Sequence, residues 1–364
     1  MNPALLLAAV LREPVRVESL TGPEWTALFA VARAEQLIGT LAHRIDGLAM
    51  PDAAARLVRD AIASAEQGRT AALWEAEMAR RALAGLDMPV VLLKGTAYAA
   101  AGLSPSQGRA IGDLDILVPR ERIEEAETAL LAAGWEWVKP DPYDDAYYRQ
   151  WMHELPPLIH RDRDKMIDVH HTILPLTARI TPDAAGLISA SIMLESGLPV
   201  WEHRHADSDM PARGMCILRP EDMVIHAVAH LIADGDLAGG MRNLWDIDRL
   251  VREFSERDED FCLNVYEEAW PHGLLPAVVR AFRLAAALYG TPVKGYTSPI
   301  RVSLVSQRSD ALFVRRLTAR DGWGRSTRKF TQLGFYIRSH WLRMPPLMLA
   351  RHLWTKWRKG YRPA

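Results

Sequence analysis

Between two long stretches of helix-type sequence the chain carries an island of strand-type sequence, and that island limits what the protein can fold into. Met88-Pro89-Val90-Val91-Leu92-Leu93 is short, apolar and partly β-branched, and it ends in Lys94-Gly95, the pattern of a buried strand followed by a turn. A helix is expected from Thr96. Gly112-Asp113-Leu114-Asp115-Ile116-Leu117-Val118-Pro119 gives a second strand signal, and residues 120–134 form an amphipathic helix stopped by Gly134. Residues 135–138, 155–160 and 166–173 supply three further candidate strands. Upstream, apolar residues recur every three or four positions, as in Trp25, Leu28, Phe29, Val31 and Ala32, and a long helix is expected from about 52 to 85. Downstream, helical periodicity returns at Pro220-Glu221-Asp222, with His226 and His230 on one long helix and further helices near 243–256, 258–270 and 275–289.

The pattern is that of an α+β protein read as four segments: a helical module over 1–86, an α/β core over 87–205, a second helical module over 206–300, and a distinct tail over 301–364. With 49% apolar and 24% charged residues, disordered and collagen-like classes are excluded. The net charge of -1 argues against a uniformly basic nucleic-acid binder, but the charge is segregated. Twelve Arg and three Lys against Asp310 and Asp321 give residues 301–364 a net charge of +13, which leaves -14 on residues 1–300. Aromatic residues including Phe330, Phe335, Tyr336, Trp341, Trp354, Trp357 and Tyr361 are interleaved with those bases. The tail therefore fits peripheral contact with an anionic membrane, a nucleic acid or an acidic partner; packing against the acidic remainder of the chain is the competing reading. Pro345-Pro346 would break any single long helix there.

Cys216 and Cys262 have no Cys-x-x-Cys companion, which disfavours a disulfide framework and a zinc knuckle and points to the reducing cytosol. No run of 18 apolar residues predicts a membrane span, and the apolar start at Met1 reads as a first helix.

The chemistry centres on carboxylates. Residues two apart in a strand share a face, so Asp113 and Asp115 project side by side, about 6 to 7 Å apart along the chain. Such a pair binds a divalent cation, meets an arginine or lies solvated at a turn; Mg²⁺, which takes one or two carboxylates and leaves positions for phosphates, suits it. Asp168 interrupts the apolar strand Met166-Ile167-Asp168-Val169-His170 and is the third candidate, as metal ligand or as general base. Alternation puts His170, and not His171, on the face of Asp168. Arg109 lies four residues before Asp113 and either neutralises phosphate or pairs with Asp113. His226 and His230 share a helix face and read as a partly buried pair packing the helical half or lining a cleft, whereas Trp151, His153 and Glu154 read mainly as loop packing.

Leu92-Leu93-Lys94-Gly95, Arg109 with Gly112-Asp113-Leu114-Asp115-Ile116-Leu117-Val118, and Ile167-Asp168-Val169-His170, in that order, resemble the uncharacterised bacterial nucleotidyltransferase family of the polymerase-beta-like superfamily. Pro220-Glu221-Asp222 with His226 and His230, then Leu244-Trp245-Asp246-Ile247-Asp248, extend the resemblance to about residue 250. It implies a short mixed sheet with helices, and Mg²⁺-dependent transfer of a nucleoside monophosphate from an NTP such as ATP to a hydroxyl of an acceptor. It also implies two Mg²⁺ ions on Asp113, Asp115 and Asp168, with the nucleotide met by Lys94, Gly95, Thr96 and Arg109. Better-known members of the superfamily carry Gly-Ser where this chain has Lys94-Gly95-Thr96. Lys94 would meet phosphate as a point charge there and Gly95 would allow close backbone approach. The acceptor, whether small molecule, RNA or protein, is open. A non-catalytic binding module that keeps the fold, and a toxin-like enzyme acting on tRNA, are the alternatives.

Overall fold

The computed structural model describes residues 1–138, 141–194, 214–293 and 304–345, together with 349, 350, 354 and 358. The chain opens with helices α1 (Pro3–Arg12), α2 (Gly22–Ala34), α3 (Ile38–Ile45) and α4 (Asp52–Leu83). Their starts are chemically specified. Asn2 accepts hydrogen bonds from the amides of Ala4 and Leu5 ahead of Pro3, and the Glu24 carboxylate accepts from the backbone amide and hydroxyl of Thr21. The 32-residue α4 runs through Gly68 without a break.

The island then forms β1 (Val91–Leu92), α5 (Lys94–Ala100), β2 (Leu114–Leu117), α6 (Ile123–Ala132), β3 (Trp135–Trp137), α7 (Pro142–Trp151), β4 (Leu158–His160), β5 (Met166–His170), α8 (Ala184–Ser189), β6 (Ile192–Met193) and β7 (Cys216–Ile217). The strands make one mixed sheet in the order β3-β4-β5-β2-β1-β7-β6, so the sheet also takes in residues beyond the 87–205 segment. β1–β5 are shorter than the runs that announce them, and β6 and β7 lie where the sequence reading placed no strand. Val90, Leu93 and Val118 are buried at strand ends and still bond across the sheet: the Leu93 amide donates to the Asp115 carbonyl, the Val118 amide to the His170 carbonyl and the Cys216 amide to the Val90 carbonyl. The helix expected from Thr96 starts two residues earlier, at Lys94. β2 and β5 are parallel, with Asp115 opposite Asp168 and Leu117 opposite His170, while β1 is antiparallel to β2 and parallel to β7. Helix α4 packs against α5, α6 and β2, and α5 also packs against β2.

The second helical half comprises α9 (Pro220–Val228), α10 (Gly240–Arg257), α11 (Phe261–Ala269) and α12 (Leu275–Tyr289), followed by α13 (Leu304–Leu317) and α14 (Lys329–Arg343). The long helix expected through His226 and His230 is not uniform: after Val228 the backbone widens into a π-helical turn over Ala229–Asp234. Arg338 of α14 donates to the Ile232 carbonyl at 2.8 Å, satisfying an acceptor of that turn. α10 buries Leu244, Trp245, Ile247, Leu250, Val251 and Phe254, and α12 packs against both α10 and α1. One apolar core therefore runs from the first helix through the sheet to α12. Cys216 and Cys262 are buried free thiols. Among the described residues no helix is long and apolar enough to cross a membrane.

Candidate active site

β2 and β5 point their polar residues to one face of the sheet. Asp113 stands exposed just before β2, Asp115 is 3% exposed within it, and Asp168 is half-buried on β5. One carboxylate oxygen from each lies within 4.8 Å of the others, so the three aspartates predicted from sequence do meet. The Oδ1 atom of Asp168 is buried without a hydrogen-bond partner. An orphaned carboxylate oxygen beside two more carboxylates suits a divalent cation, which would supply the missing positive charge.

Lys94 reaches this cluster from the end of β1. Its backbone lies in the left-handed region at φ 49°, costly for a residue with a Cβ, and its ammonium contacts Asp115 Oδ1 at 2.6 Å. His170, one alternation beyond Asp168, places Nε2 at 2.9 Å from the same Asp115 oxygen and Nδ1 at 3.3 Å from Glu154 Oε2. Glu154 forms a backbone bridge to His170, and the amide of His171 donates to the carbonyl of His153. These pairings draw the segment before β4 into the site. His153 and Glu154 were read from sequence mainly as loop packing; the register that brings them beside β5 leaves no local sequence signal.

Burial alone would raise the Asp115 carboxyl, but Lys94 and the His170 hydrogen bond outweigh it and hold this carboxyl well below the usual carboxylate range. Asp168 has no such partner. Burial, then the charges of Glu154 and Asp115, push it up to about 7. Burial would lower both Lys94 and His170, yet their acidic neighbours raise them. The site thus pairs one firmly ionised carboxylate with one whose proton is easily exchanged near neutral pH.

A cavity of about 230 Å³ opens beside Lys94 and Asp168. His226 from α9, His230 from the π-helical turn and Arg343 of α14 also line it. The cleft-lining reading of the histidine pair therefore matches their placement. Burial lowers His153, His226 and His230, the last to about 3, so these imidazoles stay neutral. Because unfolding returns His230 to about 6.5, the unfolded chain takes up a proton that the folded chain refuses, and stability falls as pH drops below about 6.5. His230 contributes up to about 1.4 kcal/mol of that loss per pH unit. In urea melts between pH 7 and pH 5, His230→Asn is expected to show a shallower loss than the wild type; equal slopes would refute this assignment.

Two residues expected at the nucleotide, Arg109 and Gly95, meet other groups of the protein. Arg109 is 6% exposed and donates from Nε to Asp246 Oδ2 at 3.0 Å; it pairs with neither Asp113 nor the open cleft. It also lies over the Tyr98 ring, at 5.7 Å, and so ties the segment after α5 to α10. Gly95 is needed for a different approach from the one expected. A Cβ there would fall 1.9 Å from Arg109 Nη1, so the missing side chain makes room for the arginine. Thr96 is buried in α5 and its hydroxyl has no partner.

A mixed sheet bearing three clustered aspartates on adjacent parallel strands, backed by helices and flanked by helical modules, is a nucleotidyltransferase core. A family model described as an uncharacterised nucleotidyltransferase matches residues 21–290, and the chain belongs to that family. Comparison with curated proteins gave no match.

Proposed function

We propose that this protein transfers a nucleoside monophosphate from an NTP to a hydroxyl of an acceptor, breaking the α–β phosphoanhydride bond and releasing pyrophosphate, with Mg²⁺ as the cation. The observation carrying this reading is the convergence of Asp113, Asp115 and Asp168 within 4.8 Å, with a buried Asp168 oxygen unpartnered. Asp113, Asp115 and Asp168 would hold Mg²⁺, as two ions in the fullest form of the reading, and the metal would neutralise phosphate charge and polarise the α-phosphate. The chain's own groups do the rest. His170 and Glu154 fix the rotamer and charge of Asp115, acting as positioning residues. Lys94, already in the cluster, turns its ammonium to phosphate charge. Asp168 also serves as the base that takes the proton of the acceptor hydroxyl. Neutral His153, His226 and His230 offer hydrogen bonds to an acceptor in the cavity without adding charge.

The 2.6 Å Lys94–Asp115 contact favours a second reading, a nucleotide-binding module in which the lysine stands permanently in place of a cation. Incubation with each α-³²P-labelled NTP and Mg²⁺, with and without cell extract, separates the two. Label on an extract component is expected, as is an NTP- and Mg²⁺-dependent rise in melting temperature. Stabilisation by NTP without Mg²⁺ and without label transfer would favour the binding module, and no effect of either kind would overturn both.

A further inference from the structure

We infer that α14 is an interfacial helix that docks the protein on the surface of an anionic lipid bilayer. In α14, Phe330, Leu333, Ile337 and Trp341 recur at three- and four-residue spacing and fall on one side of the helix. They are exposed by 92%, 54%, 57% and 46%, respectively. The opposite side is already occupied. Phe335 and Ser339 are buried, Phe335 packs edge-on against Phe313 with ring centroids 4.9 Å apart, and Arg338 is held by the π-helical turn. The helix is thus fixed in rotation, with its second apolar stripe facing outward. Trp341 keeps its exposure although Arg179 stacks on its ring at 4.4 Å. Four large apolar side chains in one exposed row, in a helix without an acidic residue, are not explained by the fold.

Charge selects the partner. The alternative use for the basic tail, pairing with the acidic remainder, employs Arg320 with Glu35 at 2.7 Å and Arg316 with Asp236 at 4.0 Å. Arg308, Arg315, Arg325, Arg328 and Lys329 are exposed and form no ion pair with any described residue. A solvent-facing apolar row flanked by bases matches a surface that is apolar beneath and negative above, which an anionic bilayer provides. The sequence beyond Pro345 continues the same chemistry, with Leu347, Met348, Leu353 and Trp357 among Arg351, Lys356, Arg358 and Lys359. Leu347, Met348, Leu353, Trp357 and Tyr361 lie outside the described residues. A nucleic acid would use the bases but has no need of the apolar row.

Flotation of the full chain with vesicles tests this. The wild type is expected to float with vesicles of equal parts phosphatidylcholine and phosphatidylglycerol, and not with phosphatidylcholine alone. Serine at Phe330, Leu333 and Ile337 together should weaken binding at least about tenfold, because these side chains supply the apolar contact. Alanine at Arg325, Arg328 and Lys329 should weaken it and reduce its sensitivity to salt. Phe330→Ser alone, at the most exposed position, should show the same direction with an unchanged melting temperature. Failure of the wild type to float, undiminished binding by the serine variants, or tRNA binding without vesicle binding would each overturn the inference.

Discussion

Asparagine at position 115 is expected to lower nucleotidyl transfer by about 10³-fold or more while the chain remains folded. Asp115 is the one carboxylate of the three held by two donors, Lys94 at 2.6 Å and His170 at 2.9 Å, and these keep it ionised. Asparagine retains the shape and an acceptor oxygen but removes the charge. Loss of charge-assisted hydrogen bonding should cost about 2 kcal/mol of stability, much less than the effect on transfer. Urea melts and label transfer measured on the same preparation separate the two effects. If Asp115→Asn transfers label at the wild-type rate, the site assignment fails. If Mg²⁺ with NTP raises the melting temperature of the variant as much as that of the wild type, the cation is not held at Asp115.

The second large effect concerns Arg109. Replacing it with leucine should cost about 3–5 kcal/mol, because Asp246 is 3% exposed and would lose its hydrogen-bonded partner, keeping only the charge of Arg242 nearby. The double variant Arg109→Leu/Asp246→Leu should recover most of that loss, since two apolar residues remove both desolvation penalties together. This outcome separates a structural arginine from a phosphate ligand. A phosphate ligand would lose nucleotide binding in the single and double variants alike, whereas a structural arginine regains both stability and nucleotide binding when its partner is removed. Chemical denaturation and nucleotide titration of the three variants provide the measurement. Failure of the double variant to regain stability would overturn the structural role.

The legibility of this site followed the distance over which each interaction acts. Asp113 and Asp115 were readable because strand alternation is local, and Asp168 because it interrupts the apolar strand run Met166-Ile167-Asp168-Val169-His170. His170 was readable as a neighbour of Asp168 by the same alternation. The partner of Arg109 was not legible because Asp246 lies 137 residues away on α10, and four residues of separation made Asp113 the obvious candidate. Gly95 was read as room for phosphate; its empty Cβ position is claimed by that same arginine. His153 and Glu154 enter the site through backbone pairing with the β5 segment, which no periodicity announces.

The sequence by itself determined the α+β class and marked the three carboxylates, because apolar periodicity and residue spacing are properties of neighbouring positions; the family came from the resemblance of its motifs, in their order, to a known one. Only the tertiary structure decided what those carboxylates face. Parallel register sets Asp115 beside Asp168, the left-handed Lys94 turns its ammonium onto Asp115, and the π-helical turn brings His230 to the same cavity. Their surroundings then divide the carboxylates: Lys94 and His170 hold Asp115 low against its burial, while burial lifts Asp168, which has no such donor. Desolvation and long-range pairing depend on which distant segments meet, and the packed fold brings those segments together.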